Sequence, residues 1–363
     1  MAFGVYLHIP YCPAKCSYCD FYSAGGSTCV PEEYVRALAR SWQQEQARLG
    51  LSSRPDTLYF GGGTPGLLTP GQAAFLIQTI NPRPGAEVTL ETNPELVTPG
   101  SLEAFRAAGV TRISFGVQTA LDDSLARLGR RHTAAQARAA LQAAVAAGFQ
   151  SVCGDIMLAL PHYSREEFDR TLDLIAGAGA HHISAYLLKI EENTVFGRRP
   201  PAGLPDEDQA CDYYLYAVKQ LARAGFEQYE ISNFCRPGHQ GRHNMIYWDC
   251  GDYLGLGPAA HSCVGGRRFY WPSRLQDFIA GRLAPVEDGL CTGEDFLMLQ
   301  LRLAKGLSLP RLEKDWGLTL SPANLAFIRQ CVTAGYALFD GSTLRLTPSG
   351  LIVQNSILAG LLP

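Results

Sequence analysis

The sequence predicts an α/β protein: a partial (βα)6 barrel carrying a C-terminal, mainly helical, winged-helix-like domain. Three observations lead there. Six short runs rich in β-branched and aromatic residues alternate with helical patterns over the first two thirds of the chain. Six βα units in series imply parallel pairing through right-handed crossovers. The turn after the first strand holds cysteines where an open dinucleotide-binding sheet would carry GxGxxG, which favours a curled sheet.

The strands are expected at residues 3–9, 57–61, 87–92, 112–117, 151–158 and 182–188. Helix boundaries are marked by local chemistry. Thr69-Pro70 and Thr98-Pro99 each place an N-cap before a proline at the first helical position. Ser164-Arg-Glu-Glu167 has the form of a capping box, and Gly109 and Gly148 are C-terminal stops. Residues 133–147 are nearly all alanine, glutamine and arginine, a strong intrinsic helix. Beyond residue 285 the order becomes helix (294–303), helix (310–316), hairpin (336–346, with Gly341 at its turn) and closing helix (351–361). The expected organisation is a barrel over 1–225, a connecting region over 226–284 and a C-terminal domain over 285–363.

Composition narrows the function classes. Of the 363 residues, 47% are hydrophobic and 18% charged, enough apolar material for a large core and no case for disorder. Acidic residues number 34 against 31 basic ones, and no basic stripe marks the C-terminal segment, so no nucleic-acid partner is expected. The absence of a long apolar run and of a leader-like start predicts a cytoplasmic protein with no membrane span.

Eleven cysteines are many for such a chain. Eight are scattered (Cys29, Cys153, Cys211, Cys235, Cys250, Cys263, Cys291, Cys331) and read as small buried hydrophobes. Cys12, Cys16 and Cys19 differ: they form CxxxCxxC in one short loop. Three thiolates supply the soft ligation of an iron–sulfur cluster and leave one iron open. Zinc is the rival, but no fourth Cys or His follows at a suitable spacing.

Barrel chemistry gathers on the loops beyond the strands' C-terminal ends, and the unusual features all fall there. The cysteines follow the first strand, Gly61-Gly-Gly-Thr-Pro65 follows the second, and Glu91 and Asn93 end the third. Gln118 ends the fourth, and Asp155 lies in the fifth. Glycines allow close approach of backbone N–H groups to a ligand. Glu91 and Asp155 suit hydroxyl or ammonium groups, and Arg130 a carboxylate. These parts describe a nucleoside joined to an amino acid.

CxxxCxxC after a first strand, then GGGTP, resembles the radical S-adenosylmethionine (SAM) superfamily. The resemblance implies a [4Fe-4S] cluster on Cys12, Cys16 and Cys19 with SAM on its open iron. Within it, Tyr-Leu-His-Ile-Pro-Tyr-Cys, Tyr-Phe-Gly-Gly-Gly-Thr-Pro, Ser-Phe-Gly-Val-Gln and Leu-Gly-Arg-Arg-His resemble the oxygen-independent coproporphyrinogen III oxidase group. The SAM contacts this implies are Tyr6, Tyr18, Gly62, Gly63, Thr64, Glu91, Gln118, Arg130 and Asp155.

Two branches share this barrel. The decarboxylating oxidases carry a fourth cysteine, CxxxCxxCxC, and an N-terminal extension. Here Phe21 takes the fourth position and only eleven residues precede Cys12. Both departures resemble the haem-chaperone branch, HemW, as does the HNxxYW motif, His243-Asn-Met-Ile-Tyr-Trp248. That branch implies haem as a bound cofactor, haem-acceptor proteins as partners, and an electron donor for the cluster. His243 is the leading expected haem ligand, with His261 and Cys235 behind it. Binding and transfer of haem is thus the expected function; oxidative decarboxylation of coproporphyrinogen III to protoporphyrinogen IX is the alternative, and no catalytic residue is assigned.

Overall fold

The computed structural model describes residues 2–362. Its centre is a parallel sheet of six strands in sequence order: β1 (Phe3–Ile9), β2 (Thr57–Gly62), β3 (Glu87–Thr92), β4 (Arg112–Gln118), β5 (Ser151–Leu158) and β6 (His182–Leu187). All six expected strands are present, displaced by at most one residue at an end. Buried Val5, Leu7, Leu58, Phe60, Leu90, Ile113, Phe115 and Val152 form the sheet's contribution to one continuous core.

The helix signals act as expected, with one exception. Thr69, Thr98 and Thr133 each complete a reciprocal capping box. Ser164 accepts from the Glu167 amide, but the Glu167 carboxylate instead accepts from Thr119 Oγ1 at 2.6 Å, so the return bond of that box is absent. A buried tertiary partner outcompetes the local one. Gly109 and Gly148 adopt φ of 109° and 76° just beyond their helices.

Residues 226–284, expected as a connection, together with 286–290, expected in the C-terminal domain, widen the sheet on both edges. β7 (Glu227–Glu230) and β8 (Asn233–Cys235) add antiparallel strands beyond β6. β9 (Asp252–Leu256) pairs in parallel with β1, and β10 (His261–Val264), β11 (Arg267–Tyr270) and β12 (Val286–Leu290) continue outward as an antiparallel ribbon. The resulting twelve-stranded sheet runs β12-β11-β10-β9-β1-β2-β3-β4-β5-β6-β8-β7 and does not close.

The C-terminal unit has its own core around Phe296, Leu301, Leu312, Ile328 and Leu344. Its order is helix Gly293–Gln300, β13 (Leu307–Ser308), helices Leu309–Trp316 and Pro322–Thr333, then β14 (Ala337–Phe339) and β15 (Thr343–Leu346) in a small sheet ordered β13-β15-β14. This is a winged-helix arrangement. The sequence reading missed β13 and helix Pro322–Thr333, and the closing helix is broken at Val353 into Pro348–Ile352 and Gln354–Leu361. Asp249 anchors the unit to the barrel by bonding Lys305 Nζ at 2.9 Å and Arg311 at 3.2 Å. Although burial works against it, the Lys305 bond holds the Asp249 carboxyl below its usual range.

Candidate functional site

The loop between β1 and helix Glu32–Leu49 carries the three cysteines, and backbone bonds pin it at several points. Cys12 N–H donates to Ala24 O at 3.0 Å, Ser17 N–H to Leu128 O at 3.1 Å, and Cys19 N–H to Cys16 O at 3.1 Å. Thr64, at the end of the GGGTP turn and 2% exposed, places Oγ1 3.0 Å from Cys12 Sγ. Arg130 donates to Cys16 Sγ at 3.4 Å, and to Asn93 Oδ1 and Gly116 O at 2.9 and 2.6 Å. In this structure the partner of Arg130 is therefore thiol and amide oxygen, with no carboxylate bonded to it.

The glycines of the turn sit where a side chain has no room. A Cβ on Gly63 would lie 2.7 Å from Tyr11 O and 2.9 Å from Ile9 O, and one on Gly62 would lie 2.6 Å from the His8 ring. Gly62 also has φ 112°. His8 is packed, bonding Tyr6 Oη at 3.0 Å and Tyr22 O at 2.9 Å.

Below the loop, the carboxylates form the floor of the barrel mouth. Glu91 accepts from Tyr59 Oη at 2.6 Å and from the Gly62 amide at 3.3 Å. Burial pushes its carboxyl up to about 7, with the Tyr59 bond opposing and Asp155 reinforcing the shift. Asp155 accepts from Ser114 Oγ at 2.9 Å; burial raises it too, against bonds from Ser184 and Ser114. Both line a polar cavity of about 40 Å³ that reaches down past Ser114 and Cys153 to Arg112. Tyr6 stacks 6.1 Å from Tyr59, Tyr18 packs on the core beside the cysteines, and Gln118 adopts φ 68° at a bulge in β4. All nine expected SAM-contact residues thus lie on β1–β5 or in the loops at their C-terminal ends.

The donor set fits a cluster. The three cysteines are unpaired thiols, partly exposed in one loop. Three thiols in one loop, with no fourth Cys or His at a zinc spacing, suit a polynuclear iron–sulfur core better than zinc.

The structure places His243 away from the mouth. Helix Arg242–Trp248 plugs the opposite end of the barrel, where the strands begin. The His243 amide donates to Glu87 Oε1 at the start of β3, Nδ1 lies 2.7 Å from Thr57 Oγ1 at the start of β2, and Nε2 lies 2.7 Å from Tyr247 Oη. The residue is 1% exposed, and burial lowers its pKa to about 3. In this structure both of its ring nitrogens are engaged in the interior. Cys235 is likewise buried. His261 is exposed at the start of β10, stacked 5.4 Å from Tyr270.

Sequence reasoning missed two groups at the mouth. Exposed His162 follows β5 with φ 60°. Phe21, Tyr186, Leu187 and Val195 expose apolar surface in the cluster loop, at the end of β6 and in the segment after it. These two segments meet where Phe196 N–H donates to Ser17 O at 2.9 Å. No sequence signal marked either group, because the φ of His162 and the exposure of these apolar side chains exist only in the folded chain.

Comparisons with known proteins agree with this geometry. Residues 6–175 match the model of the radical SAM superfamily, and residues 292–353 that of the HemN C-terminal domain. The chain is 35% identical to the heme chaperone HemW of Mycobacterium tuberculosis over 99% of its own length and 95% of that protein's. It is 30% identical to the heme chaperone HemW of Bacillus subtilis, covering 99% of each chain. The mouse mitochondrial radical S-adenosyl methionine domain-containing protein 1 is 34% identical over 99% of this chain and 87% of that one. Among solved structures, coproporphyrinogen III oxidase (HemN) from Escherichia coli superposes with a TM-score of 0.82 at 21% identity, covering 99% and 89% of the two chains, which establishes the shared fold. No helix of the described residues is long and apolar enough to cross a membrane. With cysteine loop, glycine turn and plugging helix all in place, the chain belongs to the HemW family of the radical SAM superfamily, whose cofactors are a [4Fe-4S] cluster and SAM.

Proposed function

We propose that this protein binds haem and passes it to haem-dependent acceptor proteins, holding a [4Fe-4S] cluster on Cys12, Cys16 and Cys19 with exchangeable SAM beside it. The observation that carries this reading is similarity along the whole chain to proteins named heme chaperone, combined with Phe21 at the fourth cysteine position of the oxidases. When bound, the cluster supplies an electron and one iron coordination position for the amino and carboxylate groups of SAM. The residues around it have defined tasks. Thr64 and Arg130 bond the thiol groups of Cys12 and Cys16. Glu91 and Asp155 accept from hydroxyl or ammonium groups, and the Gly62 and Gly63 backbone admits the ligand closely.

The exposed apolar rim of Phe21, Tyr186, Leu187 and Val195 suits the face of a porphyrin, and the exposed imidazoles of His162 and His261 suit its iron. The test is anaerobic reconstitution followed by titration with hemin. A saturable Soret shift, weakened by His162→Ala or His261→Ala and by Tyr186→Glu, supports the reading. Absence of saturable binding, or vigorous formation of protoporphyrinogen from coproporphyrinogen III under reducing conditions, overturns it in favour of the oxidase.

A further inference from the structure

Away from the rim, three cysteines distant in sequence meet where the β9–β12 ribbon adjoins the C-terminal unit. Antiparallel register sets Cys263 opposite Tyr253 on β9 and opposite Arg268 on β11. On the far side of β11, Leu290 pairs with Arg267, and the next residue, Cys291, donates its amide to Gly266 O at 2.8 Å. Side chains alternate along a strand, so Cys263, Arg268 and Cys291 share one face of the ribbon. Arg268 extends from that face to Asp295 on the first C-terminal helix at 3.0 Å. Cys250, two residues beyond helix Arg242–Trp248, packs against the C-terminal core and brings the third thiol, and Cys291 interacts with both Cys250 and Cys263.

The three thiols are not equivalent. Cys250 and Cys291 are partly exposed, whereas Cys263 is 4% exposed. Cys250 is held at φ 50°, a left-handed conformation that costs energy in any residue with a Cβ and that collects at functional positions. The neighbouring Cys250 and Cys263 thiols draw the Cys291 thiol below the ordinary cysteine range while their own are pushed up, so the nucleophilic thiolate is placed on Cys291.

We propose that Cys250 and Cys291 form a reversible disulfide site whose co-reactant is a small-molecule disulfide, with Cys263 as the buried hydrogen-bonding neighbour. The Cys291 thiolate attacks one sulfur of the small disulfide, forming a mixed disulfide and releasing one thiolate. The Cys250 thiolate then attacks Cys291 Sγ, closing the internal bond and releasing the second. Two protein thiols are oxidised, one external disulfide is reduced to two thiols, and two protons pass from the protein to those products. The bond ties the end of the plugging helix to the segment that enters the C-terminal domain. The proposal is independent of haem binding.

The test uses the full-length, cluster-loaded protein equilibrated anaerobically with mixtures of reduced and oxidised glutathione, quenched by alkylation and digested with trypsin. Cys250 and Cys263 fall in the peptide 243–267 and Cys291 in the peptide 283–302. The expected result is a cross-link between these two peptides that accumulates with oxidised glutathione and vanishes with dithiothreitol. It should be lost in Cys291→Ser and Cys250→Ser and kept in Cys263→Ser, with melting of the reduced variants confirming that each is folded. Full alkylation of Cys291 in the wild type at the highest oxidised glutathione overturns the proposal. So does a cross-link that survives Cys250→Ser, or one that forms only once exposed Cys29 is also modified.

Discussion

The imidazole of His243 lies stacked 5.1 Å from the ring of Tyr59 at an interplanar angle of 28°, and the Tyr59 hydroxyl donates to Glu91. One tyrosine therefore joins the plug at one end of the barrel to the carboxylate at the other. His243→Ala removes a buried ring and two hydrogen bonds, and should destabilise the fold by roughly 3 kcal/mol. In the fraction that stays folded, hemin affinity should be unchanged. Denaturant unfolding paired with hemin titration checks both; a lost Soret shift in fully folded His243→Ala would contradict the assignment.

Glu91 makes stability depend on pH in a defined direction. Its folded value of about 7 lies above the ordinary 4.5, so between these pH values the folded state holds a proton that the unfolded state has released. Its contribution is intact below about 4.5 and is lost as pH rises through 7. Glu91→Gln should flatten that part of the profile and be more stable than the wild type at pH 8 in the absence of SAM. Melting curves of the two proteins from pH 5 to pH 8 decide it.

His243 acts in the opposite sense. Its folded value of about 3 lies below the ordinary 6.5, so the unfolded chain takes up a proton first as the solution is acidified. Stability tied to this group is complete above about 6.5 and falls toward pH 3. The conservative variant His243→Gln should lose this acid-side slope relative to the wild type in the same melting series.

Gly63→Ala places a methyl group against two carbonyl oxygens that belong to backbone and cannot swing aside. The turn must shift, at a cost of about 1–3 kcal/mol, and Thr64 shifts with it away from Cys12. Weaker SAM binding by equilibrium dialysis and less iron retained per chain are expected, while Gly100→Ala, whose Cβ meets nothing within 4 Å, should match the wild type in both.

Cys16→Ser removes the thiol that Arg130 bonds, and iron and acid-labile sulfide analysis should show the cluster lost. Arg130→Met leaves all three cysteines and removes their cationic neighbour. It should still assemble a cluster but lose it faster in air, as followed by the decay of its visible absorbance.

The six barrel strands were legible because each is a local β-branched or aromatic run bounded by helix signals that operate within three or four residues. Thr69 and its Gln72 partner need no tertiary context. The ribbon β9–β12 was not legible: its strands are four or five residues long, and β9 is stabilised by pairing with β1 some 250 positions earlier. The same applies to Cys250, Cys263 and Cys291, whose spacing carries no pattern until the ribbon folds them together. The setting of His243 was not legible for a different reason. An imidazole among aromatics reads alike as a metal ligand and as a packed ring, and only the positions of Thr57 and Tyr247 separate the two.

A sheet that stops short of closing has a seam, and here the seam is stitched at one end. Beyond β7, Ile231 N–H bonds Arg302 O at 2.9 Å and Ala304 N–H bonds Tyr229 O at 3.0 Å, while Arg302 lies 4.6 Å over the Trp248 ring. Spreading the strands at that base would break each of these contacts together. At the upper lip, the segment after β6 is tied to the cysteine loop by the Phe196–Ser17 bond. The C-terminal unit works as a cleat along the stitched edge, holding strands that no closing partner holds.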